Sequence, residues 1–233
     1  MALPKLNTST HRLVLPSTNE EVKFRPFLVK EQKLLLMAQQ SEDSTQINDV
    51  IIDIIKSCTG LDAENLPMYD VEYIFLQLRA KSVGDVIEVN LLCPDDGKTR
   101  VPTKIDLNDI QVLSDIEHEK VIQLTDDIKL IMEYPTMKDM KNVNIIDGDV
   151  HVIFDILKNC ISEVDSADEI TNRVDITNEE LSEFVDSLNT EQFDKLMAFF
   201  NTMPKVRHMV EVKNPKTKVK SEVLLEGLQS FLD

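Results

Sequence analysis

Glycine is scarce in this chain: five in 233 residues, never in a G-x-G or a G-x-x-x-x-G-K run. Neither a dinucleotide-binding turn nor a phosphate loop can be written, so nucleotide binding is not expected and no cofactor is assigned. Cysteine is scarcer still. Cys58, Cys93 and Cys160 are odd in number and far apart, which argues against a disulfide framework and for free thiols in a reducing compartment. Basic residues are outnumbered, 25 against 42 acidic ones, for a net charge of -17. Nucleic-acid affinity comes mostly from neutralising phosphates with Lys and Arg, so that class of partner is not expected and a basic protein partner is. Long apolar runs are missing too. Met1-Ala2-Leu3-Pro4-Lys5-Leu6-Asn7-Thr8 lacks the uninterrupted core of a signal peptide, and nothing later is long enough to cross a bilayer. The expectation is a cytoplasmic chain without membrane contact.

What is present is an ordinary globular pattern. At 42% hydrophobic content the chain can build a core, as one large domain or two small ones. Leu13-Val14-Leu15 and Val22-Lys23-Phe24 flank the turn Pro16-Ser17-Thr18-Asn19 and read as a hairpin. Pro26 fixes its own φ and pushes Arg25 out of the helical region, so a strand ends there and a helix opens near Val29. Ile47, Val50, Ile51, Ile54, Ile55 and Cys58 form an amphipathic stripe stopped by Gly60; Val71, Ile74, Phe75 and Leu78 form another, with a charged and polar outer face expected opposite.

The period then changes to two, and residues 85–134 read as mainly β, with hairpins at 87–102 and 120–134. Helices return from Met137, and the acidic stretch Ser162 to Asp175 reads as a surface loop or short extended piece. Thr177-Asn178-Glu179-Glu180 is a capping box that opens two closely spaced helices, with Pro204 as the stop. A final hairpin turns at Asn214-Pro215-Lys216-Thr217. The expected class is α+β, helical segments with several antiparallel β-hairpins. The expected division is 1–135, an N-terminal hairpin, helices and β-hairpins, and 136–233, a helical region ending in a β-hairpin. Helix, strand, proline turn and return strand occur at 69–105 and again at 190–225, a weak internal repeat of two ribbon-like hairpins.

No chemistry-bearing constellation emerges. Cys93-Pro94-Asp95-Asp96-Gly97 resembles half of a zinc knuckle, but Asp96 stands in the second thiolate's place and the turn at Asn214 has no cysteine, so no metal is expected. His11, His118, His151 and His208 accompany no serine or cysteine motif; His151 flanks a core stripe and His208 lies in a strand, and structural roles are expected for both. No catalytic residue is assigned. The pair of helices at 177–203 carries Glu179, Glu180, Glu183, Asp186, Glu191 and Asp194, which rules against a DNA-reading helix and for packing against another helix.

Several longer strings do resemble a known family. They are Leu3-Pro4-Lys5-Leu6-Asn7, Leu15-Pro16-Ser17-Thr18, Arg25-Pro26-Phe27-Leu28-Val29-Lys30-Glu31 with Lys33-Leu34-Leu35-Leu36-Met37-Ala38, and Asp70-Val71-Glu72-Tyr73-Ile74-Phe75-Leu76-Gln77-Leu78-Arg79-Ala80-Lys81-Ser82-Val83-Gly84. Leu225-Glu226-Gly227-Leu228-Gln229-Ser230-Phe231 continues the likeness near the end. Together they resemble the baseplate hub assembly proteins of T-even-like contractile-tailed bacteriophages. Some members carry Cys-Pro-x-Cys-Gly where this chain has Asp96, which places zinc further from expectation.

The resemblance implies a non-catalytic assembly factor, a chaperone or scaffold for hub or tape-measure proteins in the host cytoplasm. The alternative is a stable hub subunit in the virion tail baseplate, and the remote alternative an enzyme with an unrecognised site. Within the shared strings, Arg25, Phe27, Lys30, Glu72, Arg79, Lys81 and Ser82 are the expected partner-binding residues. Oligomeric state stays open.

Overall fold

The computed structural model describes residues 7–41, 44–141, 150–167 and 169–231. The expectations for residues 1–6 and for the His151 side chain lie outside the described residues. Within them the fold is α+β, with seven helices and eleven strands in four antiparallel sheets. The strands are β1 (His11–Val14), β2 (Glu21–Phe24), β3 (Val86–Leu92), β4 (Arg100–Asp106), β5 (Gln111–Leu113), β6 (Val121–Gln123), β7 (Ile128–Met132), β8 (Ile161–Ser166), β9 (Ile170–Asn172), β10 (Lys205–Lys213) and β11 (Lys220–Glu226). The helices are α1 (Val29–Ser41), α2 (Ser44–Thr59), α3 (Met68–Ser82), α4 (Met137–Lys141), α5 (Val150–Cys160), α6 (Asn178–Asp186) and α7 (Thr190–Thr202).

The chain forms two units, Met1–Leu113 with Lys205–Asp233, and Ser114–Pro204. The second is thus a continuous segment set into the first. The boundary expected at 135/136 falls inside it, between β7 and α4.

In the first unit α3 is the central element. Tyr69, Asp70, Val71, Ile74, Phe75, Leu76, Leu78 and Ala80 are all buried, far more than one stripe, so the polar outer face expected from the sequence is largely covered. A helix buried on most sides is a core helix rather than a surface one. Against it lies α2, which buries Ile51, Ile52, Ile54, Ile55 and Cys58 and ends at Gly60, whose φ of +81° suits the left-handed residue after a helix. The β1–β2 hairpin pairs Leu13 with Val22 and buries both, together with Leu15 and Phe24. Strands β3 and β4 form a two-stranded ribbon, and β11-β10-β5 a three-stranded sheet.

The second unit is the sheet β6-β7-β8-β9 with α4 to α7. Its core gathers Leu130, Met132, Leu157, Cys160, Ile161, Leu181, Leu196 and Phe199. The acidic stretch, expected to be a surface loop or a short extended piece, is extended, and it pairs with itself as the hairpin β8–β9, with Val164 opposite Thr171. Glu163 and Asp165 alternate with Val164, and one apolar residue among acids is too weak a period to read without the neighbouring strand. Thr177 and Glu180 make the expected capping box at α6. Asn189 and Gln192 make a second one at α7.

Candidate functional site

The link from β2 into α1 is built around one buried carboxylate. Glu31, 3% exposed, accepts from the Arg25 guanidinium at 2.8 Å through Oε1 and from the Leu28 backbone N–H at 2.8 Å through Oε2. The second bond satisfies an orphan donor at the helix start. Arg25 also donates to the Pro26 carbonyl, and its backbone N–H donates to the Cys58 carbonyl at the end of α2. Burial works to raise the Glu31 pKa, but the bonds from Arg25, Leu28 and Lys30 outweigh it and hold the carboxyl below its usual value. The sequence signal was the glutamate three residues after Leu28. Its partner Arg25, read from sequence as partner-binding, is half-buried in this clamp.

Four further clamps fasten α3. Asp70, wholly buried, accepts from the backbone N–H of Ser17 at 3.1 Å and from its hydroxyl, which pins the β1–β2 turn to the start of the helix. Burial raises the Asp70 pKa and the two Ser17 bonds oppose that rise. Glu72 accepts from the Leu228 N–H at 3.0 Å, fixing the final turn Leu228–Phe231 against the same helix. Burial pushes its carboxyl up to about 7, with the Leu228 bond working against the shift and nearby Glu226 adding to it. At the far end the Ser82 hydroxyl accepts from the Phe27 N–H at 2.9 Å and donates to the Leu78 carbonyl at 2.5 Å. Lys81 reaches Asp85 and Asn108, each at 3.3 Å.

Of the seven residues expected to meet a partner, Arg25, Phe27, Glu72, Lys81 and Ser82 therefore have partners within the first unit. Lys30 is exposed, with one 3.3 Å contact to Glu31. Arg79 is half-buried, its pKa lowered by burial, and has no ion pair among the described residues.

The β3–β4 and β10–β11 turns share a backbone pattern. Gly97 N–H donates to the Cys93 carbonyl at 3.0 Å, and Lys218 N–H to the Asn214 carbonyl at 2.9 Å. Both donors have positive φ, +60° and +67°. Asp95 joins the tips: its carboxylate accepts from Asn214 Nδ2 at 3.0 Å and from the Thr217 hydroxyl, and the Thr217 and Asn214 bonds hold its pKa down. Asp96, in the place of a second thiolate, accepts from the Thr99 hydroxyl at 2.6 Å and from the Thr99 and Lys98 N–H groups, and so caps its own turn. Burial raises the Cys93 thiol pKa, followed by the effects of Asp95 and Asp96. Asp95 was read only as a turn carboxylate, because its bond partners lie 119 and 122 residues away.

In the second unit His118 lies between two hydroxyls, 2.9 Å from Thr202 Oγ1 and 3.1 Å from the Tyr134 oxygen. Thr202 donates to the Ala198 carbonyl at 2.8 Å, so its proton is committed to the helix and it accepts from His118 Nδ1. Phe199 packs on both His118 and Tyr134, and burial lowers the His118 pKa toward the neutral form. This chain ties the segment before β6 to the end of α7. Among the described residues no group of three His, Cys, Asp or Glu side chains is placed to hold a metal ion, and no helix is long and apolar enough to cross a membrane.

These polar residues fasten helices and ribbon tips within the fold. A family model described as T4 bacteriophage base plate protein matches residues 8–233. The chain belongs to that family, and its role is in the structure or assembly of a phage tail baseplate. Searches of characterised proteins and of solved structures found no match.

Proposed function

We propose that the chain works without catalysis as an assembly factor of the baseplate hub, holding a hub or tape-measure polypeptide in an assembly-competent state in the host cytoplasm. The observation that carries this reading is the family match over nearly the whole chain. The clamps around α3 support it, since they hold a frame in place that can present a surface to another polypeptide. In this reading Lys30 and Arg79 touch the partner, while Arg25, Phe27, Glu72, Lys81 and Ser82 hold the frame that presents them. The net charge of -17 suits basic segments of hub or tape-measure chains elsewhere on the surface.

Two measurements test the proposal. Co-expressed hub and tape-measure proteins are expected to co-purify with the chain at physiological salt, and purified phage particles to lack it. Stoichiometric presence in particles would replace the assembly factor by a stable hub subunit, and failure to bind any hub or tape-measure protein would end the proposal.

A further inference from the structure

Helix α1 has apolar residues on two opposite sides. It buries Glu31, Leu35 and Ala38, which lie on one face at helical spacing. Val29, Lys33, Leu36 and Met37 lie on the other. Val29 is 80% exposed, Leu36 53% and Met37 57%, with Leu34 at 48% on the flank beside Met37. Several large apolar side chains this exposed on one side of a helix, interleaved with Lys33 and Gln40, are the mark of a docking surface.

The charges on this face indicate what that partner is. The only carboxylate of α1 is Glu31, buried and already engaged by Arg25, the Leu28 N–H and Lys30. The exposed charges are Lys30 and Lys33, and Lys33 has no ion pair among the described residues. Both stand near the helix N-terminus, where the partial positive charge of the backbone disfavours cations. A net charge of -17 makes this basic-apolar strip opposite in sign to the chain as a whole. Two copies of α1 facing each other would set lysines against apolar residues and lysines, under the mutual repulsion of two strongly acidic chains.

We propose that the outward face of α1 binds an amphipathic helix of another baseplate polypeptide, one whose apolar stripe is flanked by Asp and Glu. Val29, Leu36 and Met37 pack on the stripe, and Lys30 at the edge and Lys33, whose long side chain reaches out from between them, meet the flanking carboxylates, as in helix-on-helix packing. This rests on the assembly reading above and adds to it the surface and the chemistry of the partner.

The test places a photo-crosslinking residue at Val29 or Leu36 of the full chain in cells producing phage, with the exposed Glu88 of β3 as the control position. The expected result is an adduct at Val29 and Leu36, absent at Glu88, whose partner peptide comes from a different polypeptide and has acidic residues flanking an apolar stripe of helical spacing. Adding Lys33→Glu is expected to reduce the yield about tenfold while leaving the thermal midpoint of the purified chain within about 2 °C, since Lys33 is exposed and has no ion pair among the described residues.

An adduct only to a second copy, an adduct to a basic segment, or a yield indifferent to the charge reversal would overturn the proposal. So would absence of an adduct at both positions. If hub proteins still co-purify in that case, the assembly reading stands and only this surface is wrong; if they do not, both fail.

Discussion

Glu72 shows how a residue in a shared string can owe its place to the frame. Its carboxyl has a folded pKa of about 7 against about 4.5 for an unperturbed glutamate. The folded state therefore binds the proton more tightly, and the stability linked to this group is highest below the unfolded pKa and falls as pH rises to about 7. At pH 8 the ionised group costs about 3 kcal/mol. Glu72→Gln keeps an oxygen to accept from Leu228 N–H and removes the charge. The variant is expected to be about 1–3 kcal/mol more stable than the parent at pH 8 and equal to it at pH 4, read by denaturant titration. An equal loss at both pH values would show that the site needs the carboxylate. None of this was legible in the sequence: Glu72 read as a partner-binding residue on a helix with a charged and polar outer face, and only the return of the chain at Leu228, 156 residues later, encloses it.

At the scale of elements, the two ribbon tips are the pair whose relation the sequence hinted at. Their shared X-Pro start was readable in Cys93-Pro94 and Asn214-Pro215, and so was the glycine at 97. The left-handed Lys218 was not, because lysine has no intrinsic preference for positive φ. Nor was the join through Asp95, since turn carboxylates have local uses that look the same in one dimension. Asp95→Ala is expected to leave each hairpin paired while releasing one tip from the other. Amide exchange should quicken at least tenfold at 93–99 and 214–219 and stay unchanged in the strands β3 and β10. Uniform acceleration through both hairpins would mean that Asp95 supports the ribbons themselves. Elements with strong local periods were legible: α2 by its isoleucine stripe, β10 by its alternation, α6 by its capping box. The pairing of β8 with β9, in a stretch read only as a loop or a short extended piece, and the three-residue β5 were not, because their pairing partners supply most of what defines them.

For the molecule as a whole, the arrangement of the two units carries a prediction. Leu113 at the end of β5 pairs with Lys205 at the start of β10, so the segment 114–204 leaves and re-enters the first unit at adjacent points. Replacing it by Asn-Gly makes a two-residue hairpin loop between antiparallel neighbours, the turn best matched to strand twist. The shortened chain is expected to unfold cooperatively and to retain the amide protection of α3, and the isolated segment 114–204 to fold by itself around its own core. A shortened chain without a cooperative transition would show that the first unit depends on the insert. The sequence placed the division at the change from strands to helices near Met137. Contacts place it where a strand pair closes, and strand pairing between residues 113 and 205 leaves no local mark.

By itself the sequence determined the class of the fold, the places of most helices and hairpins, and the phage baseplate kinship, because periodicity, caps, prolines and long shared strings are local properties that survive in one dimension. Only the tertiary structure decided which polar residues are internal clamps, that α3 is a core helix, that 114–204 is an insert, and that α1 keeps an apolar face in solvent. Those are facts about enclosure, and burial depends on segments brought together from distant parts of the chain.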